Sequence, residues 1–189
     1  ETSPYLDDVD WLQRASFLTG SGHCGISMKQ MSRSIAIQLV EERGYQEIDT
    51  AWCASSPSYV YNWYNQGITY HTYRGWIGME GLSINQVQNL SQGPKTPIAV
   101  IFTCSSGEFA STWDDPTYTE AFLRAGNAAV PGGAVAAMGF CTSMTHTAYN
   151  NLVTAGFYSG MLDYNIPQVG TCMFRGKLEL ALNLPPNDS

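Results

Sequence analysis

Charged side chains are scarce in this chain, and basic ones are the scarcest. Of its 189 residues 13% are charged, and 9 lysines and arginines against 16 aspartates and glutamates give a formal net charge of -7. Nucleic-acid affinity depends on clustered lysine and arginine, so the absence of any basic run argues against a nucleic-acid partner. No apolar run reaches the roughly 18 to 20 residues that cross a bilayer, and we expect no membrane span.

Metal-ligand spacing is also lacking. The five cysteines are too scattered for a zinc site, and calcium in the acidic loops is possible but has no support in the sequence, so we predict no cofactor. The N-terminus has neither a basic segment nor an apolar segment of the kind that signal peptides carry, which is typical of a mature protein. A hydrophobic content of 44% is enough for one domain with a sizeable core.

Short apolar runs alternate with segments of helical period along the chain. Predicted strands cover residues 15–20, 46–52, 68–73 and 132–140, with a further strand in PIAVIFTCSSGEF (97–109). Predicted helices cover residues 28–44, 57–67, 118–126, 145–162 and 169–184. Strands that alternate with helices predict an α/β fold with a mostly parallel sheet and helices on both faces.

The fourth predicted strand ends on a thiol, Cys104. Ligands of open α/β sheets bind at the carboxyl ends of strands, and the turns there also carry His23, Arg74, Cys141 and His146. A Cys-Ser-Ser-Gly turn is expected to leave backbone N–H groups free to stabilise a thiolate or an oxyanion. The alternative is that Cys104 is a small buried hydrophobe, since free cysteine is among the most buried residue types.

Several segments resemble the gingipain-type (C25) cysteine peptidases. PIAVIFTCSSGEF, YTEAFLRAGN and PGGAVAAMGF resemble the region around that family's nucleophilic cysteine, and GYQEIDTAW with NWYNQGITYHTYRGWIG resembles its run into the histidine-bearing turn. The resemblance covers residues 11–184. It implies a caspase-like three-layer sandwich, a bacterial protein that is secreted or held at the cell surface, and a Cys-His dyad with Cys104 as the nucleophile.

The family's histidine does not carry over. Where the family has Gly-His-Gly, this chain has Tyr73-Arg74-Gly75, and arginine stays protonated, so it cannot act as a general base or acid. Its charge can still hold Cys104 as a thiolate. His71 lies three residues before Arg74, and this odd offset on a strand directs its side chain to the opposite face unless the turn bulges.

His146 is the other candidate for proton transfer. It follows the fifth predicted strand and can approach Cys104 from the side. It can equally be a helix-start residue near Thr145. His23 lies in a Gly-Ser loop and is the least favoured.

Two functions stay open at this point. The first is a secreted endopeptidase that forms a thioester at Cys104, with the backbone N–H groups of Gly75 and Cys104 stabilising the oxyanion and His146 or His71 moving protons. The second is an inactive pseudo-peptidase that serves as a binding, surface-assembly or structural module, in which Arg74 grips a carboxylate. Arg74 in place of the family's histidine favours the second, and the retained Cys104 with its glycine turn favours the first, which we prefer.

The substrate of the first function would be a peptide or protein. In the family, an acidic residue at the base of the pocket beside the strand ends selects arginine or lysine. Glu108 is the main candidate here, with Glu80, Asp114 and Asp115 nearby in sequence, although each is otherwise a solvated loop carboxylate. Trp76, in the aromatic stretch 59–76, either lines a peptide cleft or packs in the core.

An odd number of cysteines predicts two disulfides and one thiol in an exported protein. Cys24 and Cys53 follow neighbouring predicted strands at the same edge of the sheet, so we expect them to pair. Cys141 and Cys172 form the possible second pair. Cys104 then remains as the free thiol.

The resemblance also implies more chain than this domain. We expect an acidic lead-in over residues 1–10, the gingipain-like domain over 11–184, and the start of a Pro-rich linker over 185–189. Because family members usually carry a preceding domain and a following β-sandwich, we expect a longer parent chain that continues past Ser189 into a β-rich module.

Overall fold

The computed structural model describes residues 8–21, 25–54, 57–110 and 116–184. Within these residues one sheet contains five strands: β1 (Arg14–Thr19), β2 (Glu47–Ala51), β3 (Tyr70–Arg74), β4 (Ile98–Ile101) and β5 (Ala136–Gly139). The spatial order is β2-β1-β3-β4-β5, and every neighbouring pair is parallel. Parallel neighbours need crossover connections, so helices lie on the faces of this sheet.

The helices in the same part of the chain are α1 (Ile26–Arg43), α2 (Pro57–Gln66), α3 (Ile84–Gln88), α4 (Tyr118–Arg124), α5 (Thr147–Leu162) and α6 (Val169–Asn183). The first, fifth and sixth pack on one face of the sheet, and the other three pack on the opposite face. Successive strand residues serve the two cores alternately: Phe17 faces α1 and α5, whereas Leu18 faces α2. The predicted three-layer α/β fold is confirmed. No helix in the described ranges is long and apolar enough to cross a membrane.

Two short elements were not predicted. A 3-10 helix covers Asp10–Gln13, and α3 lies between β3 and β4. The sequence carried a signal for α3, because Ser83 and Gln86 form a capping box. The fifth strand is also shorter than predicted, since Gly133 has a φ of 75° and turns the chain before the strand begins.

Glycine allows α5 and α6 to pack closely. A Cβ on Gly176 of α6 would lie 2.5 Å from the carbonyl oxygen of Val153 in α5. On its other side, α5 buries Phe157 and Tyr158 against the sheet. Because α5 is held between the sheet and α6, its first turn has a fixed place beside the carboxyl ends of the strands.

Candidate active site

The carboxyl ends of β3, β4 and β5 form one edge of the sheet, and α5 begins beside them. Residues 75–78 follow β3, and residues 104–107 turn away after β4. An isolated parallel β-bridge between Ile77 and Cys104 extends the parallel pairing of β3 and β4 beyond the ends of the two strands. The structure therefore brings Arg74, Gly75, Trp76 and Cys104 to one edge.

The backbone of the Cys-Ser-Ser-Gly turn is fully hydrogen-bonded. The N–H groups of residues 104, 105, 106 and 107 donate, in that order, to the carbonyl oxygens of Trp76 (3.3 Å), Thr142 (3.0 Å), Thr103 (3.5 Å) and Phe140 (2.9 Å). Ser105 adopts the left-handed region, with a φ of 55°. The prediction that this turn leaves N–H groups free for an oxyanion is therefore wrong, because the segments after β3 and β5 accept three of them and Thr103, just before the turn, accepts the fourth.

The Cys104 thiol faces α5, and the residue is 4% exposed. Its Sγ lies 2.9 Å from Oγ1 of Thr145 and 3.8 Å from the carbonyl oxygen of the same residue. Nδ2 of Asn150 donates to that Oγ1 at 3.1 Å. Because Asn150 supplies a hydrogen to this oxygen, the Thr145 hydroxyl keeps its own proton available for the sulfur.

Arg74 is the last residue of β3 and is 0% exposed. Its guanidinium donates to the carbonyl oxygen of Phe102, to Oδ1 of Asn151 at 2.8 and 3.2 Å, and to the carbonyl oxygen of Thr147 at 3.4 Å. Burial lowers the pKa of Arg74 to about 10, an effect that neighbouring groups including Cys104 partly offset. Arg74 is therefore charged at neutral pH. Its burial is not compatible with the predicted capture of a ligand carboxylate.

His71 lies on the other face of β3. Its Nδ1 is 2.8 Å from Oγ of Ser16, and its ring lies against Trp63 and Tyr64 of α2, with centroid separations of 6.4 and 5.4 Å. Burial lowers the pKa of His71 to about 3, so the ring is neutral at physiological pH. The turn does not bulge, His71 makes no hydrogen bond to Cys104, and the thickness of the sheet separates the two side chains.

His146 is the N-cap residue of α5 and is exposed. Its Nδ1 accepts the N–H of Ala148 at 3.2 Å, and its ring contacts that of Tyr149. A neutral imidazole that accepts at Nδ1 carries its proton on Nε2, so in this position it has no free lone pair for the thiol proton. It makes no hydrogen bond with Cys104, although the preceding residue, Thr145, contacts the sulfur.

Gly75 and Trp76 continue from β3 along the edge. Gly75 is buried, and a Cβ there would lie 2.2 Å from the hydroxyl oxygen of Tyr73, so a larger residue would require the tyrosine ring to shift. Trp76 is 59% exposed, and its carbonyl oxygen accepts the N–H of Cys104. Its side chain is therefore at the surface next to the backbone of the cysteine.

The acidic candidates are spread around this edge. Glu108 is partly buried at the end of the turn, where its N–H donates to the carbonyl oxygen of Ser105 at 3.4 Å. Glu80 accepts hydrogen bonds from the N–H and the hydroxyl of Ser21 at 2.9 and 2.6 Å. Three other candidates lie outside the described residues: His23, Asp114 and Asp115. In the described part of the chain, no group of three or more His, Cys, Asp or Glu side chains could hold a metal ion.

Among the cysteines that the structure describes, three carry free thiols: Cys104, Cys141 and Cys172. The predicted disulfide between Cys141 and Cys172 is wrong, because α6 buries Cys172 against Gly160 of α5 while Cys141 is exposed after β5. Cys53 is disulfide-bonded. Cys24 lies outside the described residues, so its pairing with Cys53 stays a prediction.

Two open grooves flank the cysteine. One, of about 460 Å³, runs between α1 and α5 and is lined mainly by Met31, His146, Asn151, Leu152 and Ala155. The other, of about 340 Å³, lies on the α3 and α4 side and is lined by Ile77, Gly78, Met79, Ile84, Ser105 and Tyr118. The described residues that line the two grooves include no carboxylate.

Sequence reasoning missed the role of the first turns of α5. The sequence predicts only a helix start near Thr145 and no role for Asn150 and Asn151. Asparagine is a poor helix former, so two adjacent asparagines in an otherwise apolar helix were an available signal of hydrogen-bonding roles. Asn150 is buried and reaches Thr145, and Asn151 receives Arg74.

A cysteine at the carboxyl edge of a parallel α/β sandwich, beside the start of a helix, has the position that the nucleophile of a cysteine-peptidase type of domain would occupy. The model of peptidase family C25 matches residues 2–189 of this chain. The chain therefore belongs to peptidase family C25.

Solved structures share this fold. The crystal structure of the Arg-specific cysteine proteinase gingipain R (RgpB) has a TM-score of 0.80 at 20% identity, covering 94% of this chain and 44% of that one. The complex of Porphyromonas gingivalis RgpB pro- and mature domains gives 0.78 at 20% identity, covering 93% and 44%. A third structure, named as that of a protease, gives 0.79 at 16% identity, covering 97% and 45%. No curated protein sequence matches the chain.

The family and the fold expected from the resemblance are thus confirmed. At sequence identities of 16 to 20%, these matches show only that the folds are alike. This chain spans less than half the length of these solved relatives.

Proposed function

We propose that this chain is a cysteine endopeptidase domain in which Cys104 is the nucleophile and His146 is the proton-transfer group. The observation that carries this proposal is the 2.9 Å contact between Sγ of Cys104 and Oγ1 of Thr145. That contact brings the segment that holds His146 next to the thiol. Membership of family C25 supports the reaction class.

In this proposal the structure represents a resting state, and His146 leaves its N-cap position when a peptide binds. The imidazole then accepts the thiol proton, the sulfur attacks the scissile carbonyl carbon to form a thioester, and the imidazolium protonates the leaving amine. Water then hydrolyses the thioester. Loss of an N-cap costs about 1 kcal/mol, which the binding of a peptide can offset. Gly75 remains the proposed backbone donor to the oxyanion, and Arg74 supplies a buried positive charge at the same edge.

The family's Gly-His-Gly turn can be aligned here in two registers. With Tyr73-Arg74-Gly75, Arg74 takes the position of the histidine, and with Gly75-Trp76-Ile77, Trp76 takes it. An arginine that is fully buried and an indole are both unable to exchange a proton at neutral pH. In either register, His146 is the histidine whose chain segment contacts the thiol.

The proposed substrate is a peptide segment that lies along this edge. The exposed indole of Trp76 offers it a flat apolar surface beside the Cys104 backbone. Glu108, at the end of the same turn, offers a carboxylate to a basic side chain.

A second function, that of a non-catalytic binding or surface-assembly module, is favoured by a specific observation. The four N–H groups of the turn at residues 104–107 are all paired, and the free lone pair that a general base needs is absent from His146 in its N-cap position. The proposed enzyme must break the N-cap bond of His146 on binding substrate, whereas a binding module can keep all of these bonds.

Hydrolysis of an unfolded protein substrate such as casein distinguishes the two functions. We expect Cys104→Ser to abolish hydrolysis and Cys141→Ser, which replaces an exposed free thiol, to leave it unchanged. His146→Asn keeps an N-cap side chain but removes the imidazole, so it should lower kcat by about 100- to 10,000-fold without lowering Tm. Equal rates for His146→Asn and the wild type would rule out His146 as the proton-transfer group. A wild-type protein that hydrolyses nothing would support the binding module.

We also propose that the protein is exported to the medium or the cell surface and that other domains accompany it in a longer parent chain. A disulfide at Cys53 supports export, because such bonds persist in oxidising compartments. The length of the solved relatives supports the longer chain. Fractionation of the source cells tests the first point, and recovery of the protein in the cytoplasm with all five thiols reduced would contradict it.

A further inference from the structure

We propose that Arg74 is a positioning residue that ties the first turn of α5 to the end of β4 and so holds the segment of Thr145 and His146 against the Cys104 thiol. This inference rests on the proposed function, in which Cys104 is the nucleophile and His146 is the proton-transfer group. Its test reads the labelling of thiols, so its failure is distinguishable from an absence of peptide hydrolysis.

The contacts of Arg74 lie on both sides of the thiol. On the sheet, Nη1 donates to the carbonyl oxygen of Phe102, two residues before Cys104. On the helix, Nε and Nη2 both donate to Oδ1 of Asn151, and Nη2 also donates to the carbonyl oxygen of Thr147. One planar group therefore bridges the strand that carries the nucleophile and the helix turn that carries His146.

A simple charge role does not account for this arrangement. Arg74 is 0% exposed, and no carboxylate in the described ranges lies within salt-bridge distance of it. Burying a guanidinium without an anionic partner is unfavourable unless its N–H groups are well paired. Its partners are two carbonyl oxygens and one amide oxygen. A planar guanidinium has N–H groups in fixed directions and can donate to all three, whereas the compact ammonium of lysine cannot reach all of them.

A second arginine, which is exposed where Arg74 is buried, contacts the other end of the same helix. Nη2 of Arg43 donates to the carbonyl oxygens of Met161 and Leu162 and to Oδ1 of Asn165. Arg74 thus contacts the start of α5 through one carbonyl and one asparagine, whereas Arg43 contacts its end through two carbonyls and one asparagine. Arg43 is the natural control, because it lies outside the proposed active site.

Two buried thiols report on these two ends separately. Cys104 is 4% exposed and contacts Thr145 at the start of α5. Cys172 is 2% exposed and lies beside Gly160 near the end of the helix, with its Sγ 3.4 Å from the carbonyl oxygen of Ile166. Loosening of one end should expose only the thiol at that end.

The test is the native-state rate of iodoacetamide labelling, measured for each cysteine by mass spectrometry. We expect Arg74→Met to raise the labelling rate of Cys104 at least tenfold and to leave that of Cys172 unchanged. Arg43→Met should raise the labelling rate of Cys172 by a smaller factor, because Arg43 is exposed, and should leave that of Cys104 unchanged. Arg74→Lys should behave like Arg74→Met, because lysine keeps the charge but cannot bridge the three acceptors.

Three results would overturn the inference. Equal increases at both thiols in Arg74→Met would indicate global destabilisation, and no increase at either would show that Arg74 does not hold the helix turn. Labelling of Arg74→Lys at the wild-type rate would show that the charge alone is sufficient. If Arg74→Met does not fold, Asn151→Ala removes the main acceptor and should raise the labelling of Cys104 alone; an unchanged rate there would equally refute the inference.

Discussion

The buried histidine on β3 should make folding stability fall as the solution becomes acidic. His71 is 0% exposed, its Nδ1 is paired with Ser16, and its Nε2 has no hydrogen-bond partner. Protonation would place a charged N–H against the rings of Trp63 and Tyr64. Burial accordingly lowers the pKa of His71 from 6.5 to about 3.

The sign and size of this effect follow from proton linkage. Below pH 6.5 the unfolded chain binds a proton at His71 that the folded chain does not bind until about pH 3, so the unfolded state gains stability. The contribution of His71 is therefore fully present above pH 6.5 and is lost as the pH falls from 6.5 towards 3. At pH 4.5, two units below 6.5, the loss is about 3 kcal/mol, a large share of the roughly 5 to 15 kcal/mol of a single domain.

Urea unfolding of the wild type and of His71→Asn, at pH 7 and at pH 4.5, measures this quantity. Asparagine keeps a polar partner for Ser16 but does not titrate, and the pH-independent cost of the smaller side chain cancels when the two pH values are compared. We expect the wild type to lose about 3 kcal/mol more than His71→Asn between them. Parallel losses in the two proteins would refute the reasoning. The expected result would also exclude His71 from proton transfer, since a general base must exchange its proton near the working pH.

Two further substitutions test the backbone around the site by urea unfolding. Gly75→Ala places a Cβ 2.2 Å from the hydroxyl oxygen of Tyr73, so it should lower the free energy of unfolding by about 1 to 3 kcal/mol. Adding Tyr73→Phe to the same chain should recover part of that loss. An unchanged stability in Gly75→Ala would contradict the close approach. Ser105→Gly relieves a left-handed φ of 55° and should stabilise the fold by about 0.5 to 1 kcal/mol, whereas a lower midpoint would mean that the serine side chain supports the turn.

The fold was predictable because its signals are local. The strands β1 and β4 are short runs rich in apolar residues, α1 carries apolar residues at helical spacing, and glycine marks several ends, as Gly44 does after α1. The alternation of strands and helices along the chain then leaves few compatible topologies. The short α3 was missed because five residues carry too little periodicity, although Ser83 and Gln86 marked its start.

The site was predictable only in part, because its decisive contacts are not local. The position of Cys104 at the carboxyl edge follows from topology. The pairing of its N–H with Trp76, and of the next N–H with Thr142, depends on how three strand ends meet. The burial of Arg74 depends on α5, whose Asn151 lies 77 residues further along the chain. No pattern within β3 distinguishes such an arginine from one that faces a ligand.

The thiol at the end of β4 satisfies two demands at one position. Along this strand the residues alternate between the two cores, with Ala99 and Ile101 on one face and Val100 and Phe102 on the other, and the chain stays buried through Cys104. A residue there must be small and must not require a full set of hydrogen bonds, and a cysteine meets both conditions. The same position is the first beyond Phe102 to contact the start of α5, where the Thr145 hydroxyl reaches the sulfur. Packing alone would accept alanine at this point, so Cys104→Ala should fold with nearly unchanged stability, and the reason for a thiol must then lie in its chemistry.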